Sequence, residues 1–215
     1  MQTIKAKLTL LGTLAIAGLI IVTLLGSQGI STIKQDGDLI KDNYLVSIIN
    51  LSQATEQLYS LVIAEKNHIT SKTDAQMQQQ EQQITTARRE SQRAIDAFEQ
   101  TLDAGEETEL FKRFGKVYDQ YLTIHEQVLT LSRDNKDSEA AALSGAKGAD
   151  TFRQMEQLLE QMMANNVTGA EEAGQDANDH ASSVTLQLTL IALFTAIALT
   201  MGIAWTTHSI LTPLN

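Results

Sequence analysis

The side chains able to do chemistry are scattered along this chain, and their spacing excludes more than it offers. The four histidines are His68, His125, His180 and His208. No two of them lie three or four residues apart, and there is no cysteine. Helical metal sites are built from ligands one turn apart, so neither a metal nor a cofactor is expected. Carboxylates are plentiful but dispersed. Glu106, Glu107 and Glu109 fall at a predicted helix start, where negative charge complements the helix dipole. No nucleophile elbow, phosphate-binding glycine loop or dinucleotide fingerprint occurs, so no catalytic residue is nominated and an enzyme is not expected. The basic residues Arg88, Arg89, Arg93, Lys112, Arg113 and Lys116 sit at helix-neighbour spacing, which suits ion pairing on a wet surface.

One group of residues reads as a candidate ligand site. Counting along predicted helices at about 1.5 Å per residue places Tyr59, Arg88, Tyr121 and His125 at similar heights. Their convergence would suit a small carboxylate, with Arg88 as counter-ion. Tyr121 lies on a core seam, where a buried hydroxyl needs a partner.

The elements that position these residues are long helices. The chain has one proline, Pro213, and abundant helix formers. Helix one carries an apolar seam through Ile33, Gly37, Ile40, Tyr44, Ser47, Leu51, Ala54, Leu58 and Leu61, and a polar turn over Asn67 to Thr73 ends it. Thr73-x-x-Gln76 reads as a capping box opening helix two, whose stripe runs from Met77 through Ile84, Ala87, Ser91, Ile95 and Phe98 to Leu102. Ala104-Gly105 is its expected stop. Helix three shows Leu110, Phe114, Val117, Tyr121, Ile124, Val128 and Leu131 at alternating four and three. After a short helical piece, Ser144 to Gly148 reads as a break, and Thr151-x-x-Gln154 as the cap of helix four. Four amphipathic helices joined by short turns specify an all-α, antiparallel up-down-up-down bundle. Late in helix four the stripe thins to Gly169, Ala173 and Ala177 on one face, a smooth seam suited to small sliding movements in signal transmission.

Two apolar runs bracket the bundle. Leu8 to Leu25 has no charge, and Val184 to Trp205 has none either, with one strongly polar intruder, Gln187. Each is long enough to cross, or nearly cross, a hydrocarbon core of about 30 Å. The first is longer than the core of a cleaved signal, so an uncleaved anchor is expected. Lys5 and Lys7 place residues 1–7 in the cytoplasm. The expected layout is transmembrane helix 8–30, external bundle 31–183, transmembrane helix 184–206 and a cytoplasmic segment 207–215. All 26 acidic residues lie between the apolar runs. Such an acidic surface argues against nucleic acid and against lying on an anionic leaflet.

With these features the chain resembles the N-terminal part of methyl-accepting chemotaxis proteins that carry a four-helix-bundle ligand-binding domain. Lys5 and Lys7 precede a span that flows into a long helix, and four amphipathic segments follow. Asp137-Ser138-Glu139-Ala140-Ala141-Ala142-Leu143 is similar to the acidic, alanine-rich piece before the last helix. Ser209-Ile210-Leu211-Thr212-Pro213-Leu214-Asn215 resembles the opening of a HAMP linker. The resemblance implies a homodimeric chemoreceptor module in the bacterial inner membrane, with its sensor domain periplasmic. It would bind a small molecule or a ligand-loaded binding protein and pass a helix shift, through Pro213 and HAMP, to a cytoplasmic kinase and adaptor. The output domain is expected beyond residue 215. Well-studied relatives bind an amino-acid carboxylate through arginines of helix one; helix one here has no Arg, and its distal end has only Lys66. Two alternatives remain open at this level: the sensor region of a histidine kinase or diguanylate cyclase, and a bundle that only dimerises or spaces.

Overall fold

The computed structural model describes residues 4–211, with side chains from 5 to 208. No strand occurs among them. Helix α1 spans Ile4–Leu39, and a π-helical turn, Ile40–Tyr44, joins it to α2, Leu45–Thr70. Helix α3 is Asp74–Glu99 and α4 is Glu106–Arg133. A short α5, Asp137–Leu143, passes through a second π-helical turn, Ser144–Gly148, into α6, Ala149–Leu211. The connections between helices are short, which sets neighbours antiparallel.

Two compact units emerge, residues 39–171 and the flanking segments 4–38 with 172–211. The first is the four-helix bundle. Its core is made by Leu51, Leu58 and Leu61 of α2, Ile84 and Phe98 of α3, Phe114 and Tyr121 of α4, and Met155, Leu159 and Met162 of α6. Rings of Phe98, Phe111, Phe114 and Tyr118 form a consecutive series with centroids 5.8–6.5 Å apart, the separation favoured by offset aromatic pairs.

Local chemistry ends each helix where the polar residues stand. Thr73 caps α3 by accepting from the backbone N–H of Gln76 at 3.2 Å. The Gln76 side chain reaches back to the N–H of Lys72 at 2.9 Å, so the reciprocal half of the capping box is displaced by one residue. Gly105, at φ 115°, makes the turn into α4 in a conformation that a side chain would strain. Helix α4 stops at Asn135, whose φ is 56°. The N–H of Lys136 then bonds back to the carbonyl of Leu131 at 2.9 Å, the pattern of a left-handed helix stop.

Three details differ from the sequence reading. Helix α3 ends at Glu99, before the expected stop at Ala104-Gly105. Ser144 to Gly148 does not break the helix. It widens by one residue into a π turn, and Thr151 donates to the carbonyl of Lys147 at 2.8 Å as an interior residue rather than a cap. Without proline, the glycines permit the wider turn, and the tertiary bond from Ser144 to Glu65 holds it there. On α4, Tyr118 and His125 are buried while Val117 and Ile124 are only partly so. The seam is therefore rotated slightly toward the polar residues.

The second unit pairs residues 4–38 of α1 with 172–211 of α6. A Cβ added at Gly18 would meet Thr195 at 2.9 Å, and one at Gly202 would run into Leu11. The two helices thus approach closely where a side chain is missing, as small residues allow in lipid. Leu10, Ile16, Leu19, Leu24, Leu190 and Phe194 are exposed. Among the described residues, two helices are long and apolar enough to cross a membrane. Hydroxyls in these segments are satisfied locally: Thr9, Thr13, Thr23, Thr195 and Thr200 each donate to the carbonyl four residues earlier at 2.8–2.9 Å. Such self-satisfaction is what hydrocarbon demands.

Candidate functional site

The bundle core turns polar at the end where α2 gives way to α3. The buried seam of α2 runs Ser47, Leu51, Ala54, Leu58, Leu61, then Glu65 and His68. That of α4 runs Phe114, Tyr118, Tyr121, His125, Val128, then Ser132. Each helix therefore brings polar groups inward at regular three–four spacing. Burial of such groups is tolerable only when they meet partners.

They do meet, across helices. Glu65 is 3% exposed and His125 not at all. The Glu65 carboxylate bonds His125 Nδ1 and also accepts from Ser144 Oγ at 2.6 Å. One carboxylate thereby ties α2, α4 and the π turn before α6. Beside it, Ser132 Oγ lies 2.9 Å from His68 Nδ1. His68 Nε2 faces Glu81 of α3 at 3.4 Å. Burial holds the His68 imidazole below its ordinary value, against the pull of Glu81. Arg133 donates from Nε to Glu81 at 2.6 Å, and this bond holds the Glu81 carboxyl below the usual range.

Of the four residues singled out from sequence, three share an aromatic path. Tyr121 is buried, its ring stacked on His125 with centroids 6.0 Å apart. Phe152 of α6 sits between Tyr121, at 5.8 Å, and Tyr59, at 5.2 Å. Tyr59 itself lies at the surface, where its hydroxyl bonds Glu156. Arg88 is not brought to this path. Its guanidinium bonds Glu126 at 2.6 Å in a groove between α3 and α4 that Glu81, Thr85 and Arg133 also line. The Tyr121 hydroxyl and His125 Nε2 are buried without a hydrogen-bond partner. Burial raises the Tyr121 phenol well above its ordinary value, so it stays neutral. An uncharged donor or acceptor group is what this part of the core offers.

Among the described residues, no set of three His, Asp or Glu side chains is placed to hold a metal ion. The small-residue face of α6 does have a specific partner at one position. A Cβ on Gly169 would fall 2.5 Å from Tyr44 Cε1. Ala173 is buried and Ala177 half-buried, whereas Pro213 lies outside the described residues. Further along, His180 Nδ1 bonds Asp36 Oδ2 at 2.9 Å, and that bond raises the exposed imidazole above its usual value.

Sequence reasoning passed over Glu65, His68, Ser132 and Ser144. The signal was present: the seam of helix one continues past Leu61 at the same spacing, with polar residues standing in apolar positions. Asn166, in a sequence that matches a glycosylation pattern, is also buried, bonding Glu107 of α4 and, at 2.9 Å, the carbonyl of Met162.

No curated protein matches this chain. A family model, described as a four-helix-bundle sensory module for signal transduction, matches residues 1–181. That match spans the first apolar segment and the whole bundle, so the chain belongs to the family of four-helix-bundle sensory modules of chemotaxis receptors.

Proposed function

We propose that the chain is the sensor module of a transmembrane chemoreceptor. The bundle, lying outside the bacterial inner membrane, binds a small molecule such as an organic or amino acid, or a ligand-loaded binding protein. The second apolar segment then carries a helix shift to a HAMP linker and a cytoplasmic kinase-controlling domain, in a homodimer. The observation that carries this reading is the length of α6. One helix of 63 residues holds Met155, Leu159 and Met162 in the bundle core and continues through Val184 to Trp205. A helix without a break is stiff along its axis, so a small displacement at one end is delivered to the other. Lys5 and Lys7 before the first apolar segment support a cytoplasmic N-terminus.

The ligand-dependent part of the reading is a population shift. A ligand that touches two packing states of the bundle unequally biases the one it binds better. The Tyr59–Phe152–Tyr121 path joins α2, α6 and α4 and is the candidate place for it, with His125 beneath. The test is a hybrid receptor in which this chain is fused to the HAMP and kinase-control region of a characterised chemoreceptor. Organic acids, amino acids and aromatic acids are presented to cells, and kinase output is read by fluorescence resonance energy transfer. Output that changes with one class and is lost in Tyr121→Leu is the expected result. Output that stays flat with every compound and with periplasmic extract overturns the sensory reading.

A further inference from the structure

The polar end of the core holds two buried imidazoles, and they are used differently. His125 is committed to Glu65 through Nδ1. His68 is fully buried too, yet Nε2 has no aligned hydrogen-bond partner; it faces the Glu81 carboxylate at 3.4 Å. Both rings leave Nε2 without a hydrogen-bond partner, but only His68 turns that nitrogen to a carboxylate on another helix, Glu81.

We propose that His68 is a proton-binding site, and that its occupation on acidification draws α3 toward α2 and α4. The geometry accommodates both forms of the ring. Ser132 Oγ lies 2.9 Å from His68 Nδ1 and 3.3 Å from the carbonyl oxygen of the same residue. With the ring neutral and its hydrogen on Nε2, the Ser132 hydroxyl donates to Nδ1. With the ring charged, Nδ1–H donates to Ser132 Oγ, and the hydroxyl hydrogen turns to the carbonyl. One hydroxyl rotation serves both states, so the added proton leaves no donor stranded.

The second nitrogen supplies the movement. A charged ring pulls the Glu81 carboxylate from 3.4 Å toward the roughly 2.7–2.9 Å of a charge-assisted bond. Glu81 belongs to α3, and its other cation is Arg133 of α4. The imidazolium thus competes with Arg133 for one carboxylate and couples three helices through it. The charges acting on His68 are Glu81 from α3, which favours the proton, and Arg133 and His125 from α4, which oppose it. One turn back on α2, Glu65 is already engaged by His125 and Ser144. From α5 the nearby apolar cluster takes Ala140, which joins Ile69 and Val128. Desolvation lowers the ring's hold on a proton, so occupation begins only below the ordinary histidine range. The folded ring binds its proton less readily than the unfolded one. Stability is therefore full above the ordinary histidine range and declines as pH falls below it.

The full chain, labelled with 15N-histidine and held in lipid nanodiscs, is titrated from pH 8 to 4.5, and imidazole shifts are followed together with helical circular dichroism. The expected result is a His68 resonance, absent in His68→Gln, that titrates below the ordinary histidine midpoint while the helical signal is retained. Arg133→Gln, which removes a competing cation at the surface, moves the midpoint up; Glu81→Gln moves it down. Should His68→Gln fail to fold, those opposite displacements identify the resonance. A ring that stays neutral throughout, one that titrates only as helix is lost, or a midpoint unmoved by both surface variants overturns the proposal. No small-molecule ligand and no output domain enters the measurement, so its result is independent of the sensory reading.

Discussion

At the scale of single residues, the bundle concentrates its risk in one carboxylate. Glu65 is buried and accepts from two partners on different elements. Removing one member of a buried, hydrogen-bonded group leaves its partners unsatisfied, at a cost of about 1–3 kcal/mol each. Glu65→Ala is expected to lower stability by that order in denaturant melts of the full chain in detergent. Glu65→Gln, which keeps an acceptor for Ser144, is expected to lose less. Equal losses in the two variants would show that shape, not hydrogen bonding, holds the position. These residues were legible in the sequence only as polar intruders on apolar seams. Spacing placed Tyr121 inward, but it put Ile124 rather than His125 on the seam, and it could not say that Arg88 turns outward to Glu126. A long side chain at a helix flank reaches either way, and the nearest carboxylate decides.

At the scale of elements, the two π-helical turns do what propensity could not announce. Each inserts one residue into a helix and re-aims the side chains beyond it. The first ends at Tyr44, whose ring fills the space left by Gly169. The second presents Ser144 to Glu65. Gly169→Leu cannot be placed without displacing Tyr44, and over-packing of this kind costs about 1–3 kcal/mol. A double-mutant cycle measures the contact: Gly169→Leu alone destabilises the bundle, and most of the loss is recovered when Tyr44→Ala accompanies it. Additive losses would mean that the strain lies elsewhere on α6. The cap at Thr73, by contrast, was readable. Thr73 and Gln76 stop and start helices by local bonds that need no tertiary partner.

At the scale of the whole molecule, the chain divides its solvents. Side chains over 39–171 bury an apolar core with a polar end, while the helices of the other unit expose leucine, isoleucine and phenylalanine outward. A contiguous apolar surface of that kind is stable only in lipid or against a partner. The chain has no cysteine, so introduced thiols report topology without background. Gln53→Cys and Glu160→Cys, both at exposed positions of the bundle, are expected to react in intact spheroplasts with a membrane-impermeant maleimide. A cysteine placed at Lys5 is expected to react only after lysis. Labelling of Lys5→Cys in intact cells, with protection of the bundle positions, would reverse the proposed orientation.

Composition and periodicity alone determined the helical class, the four amphipathic segments, the short turns and the two apolar segments. These follow from local rules: helix formers without proline, side chains repeating every three or four residues, and caps bonded to their own neighbours. Only the folded bundle decided which polar side chains meet in the core, where a helix widens instead of breaking, and which cation turns to the surface. Those outcomes depend on groups distant in sequence competing for the same buried space, and a carboxylate such as Glu65 finds its partners only once three helices are already in place.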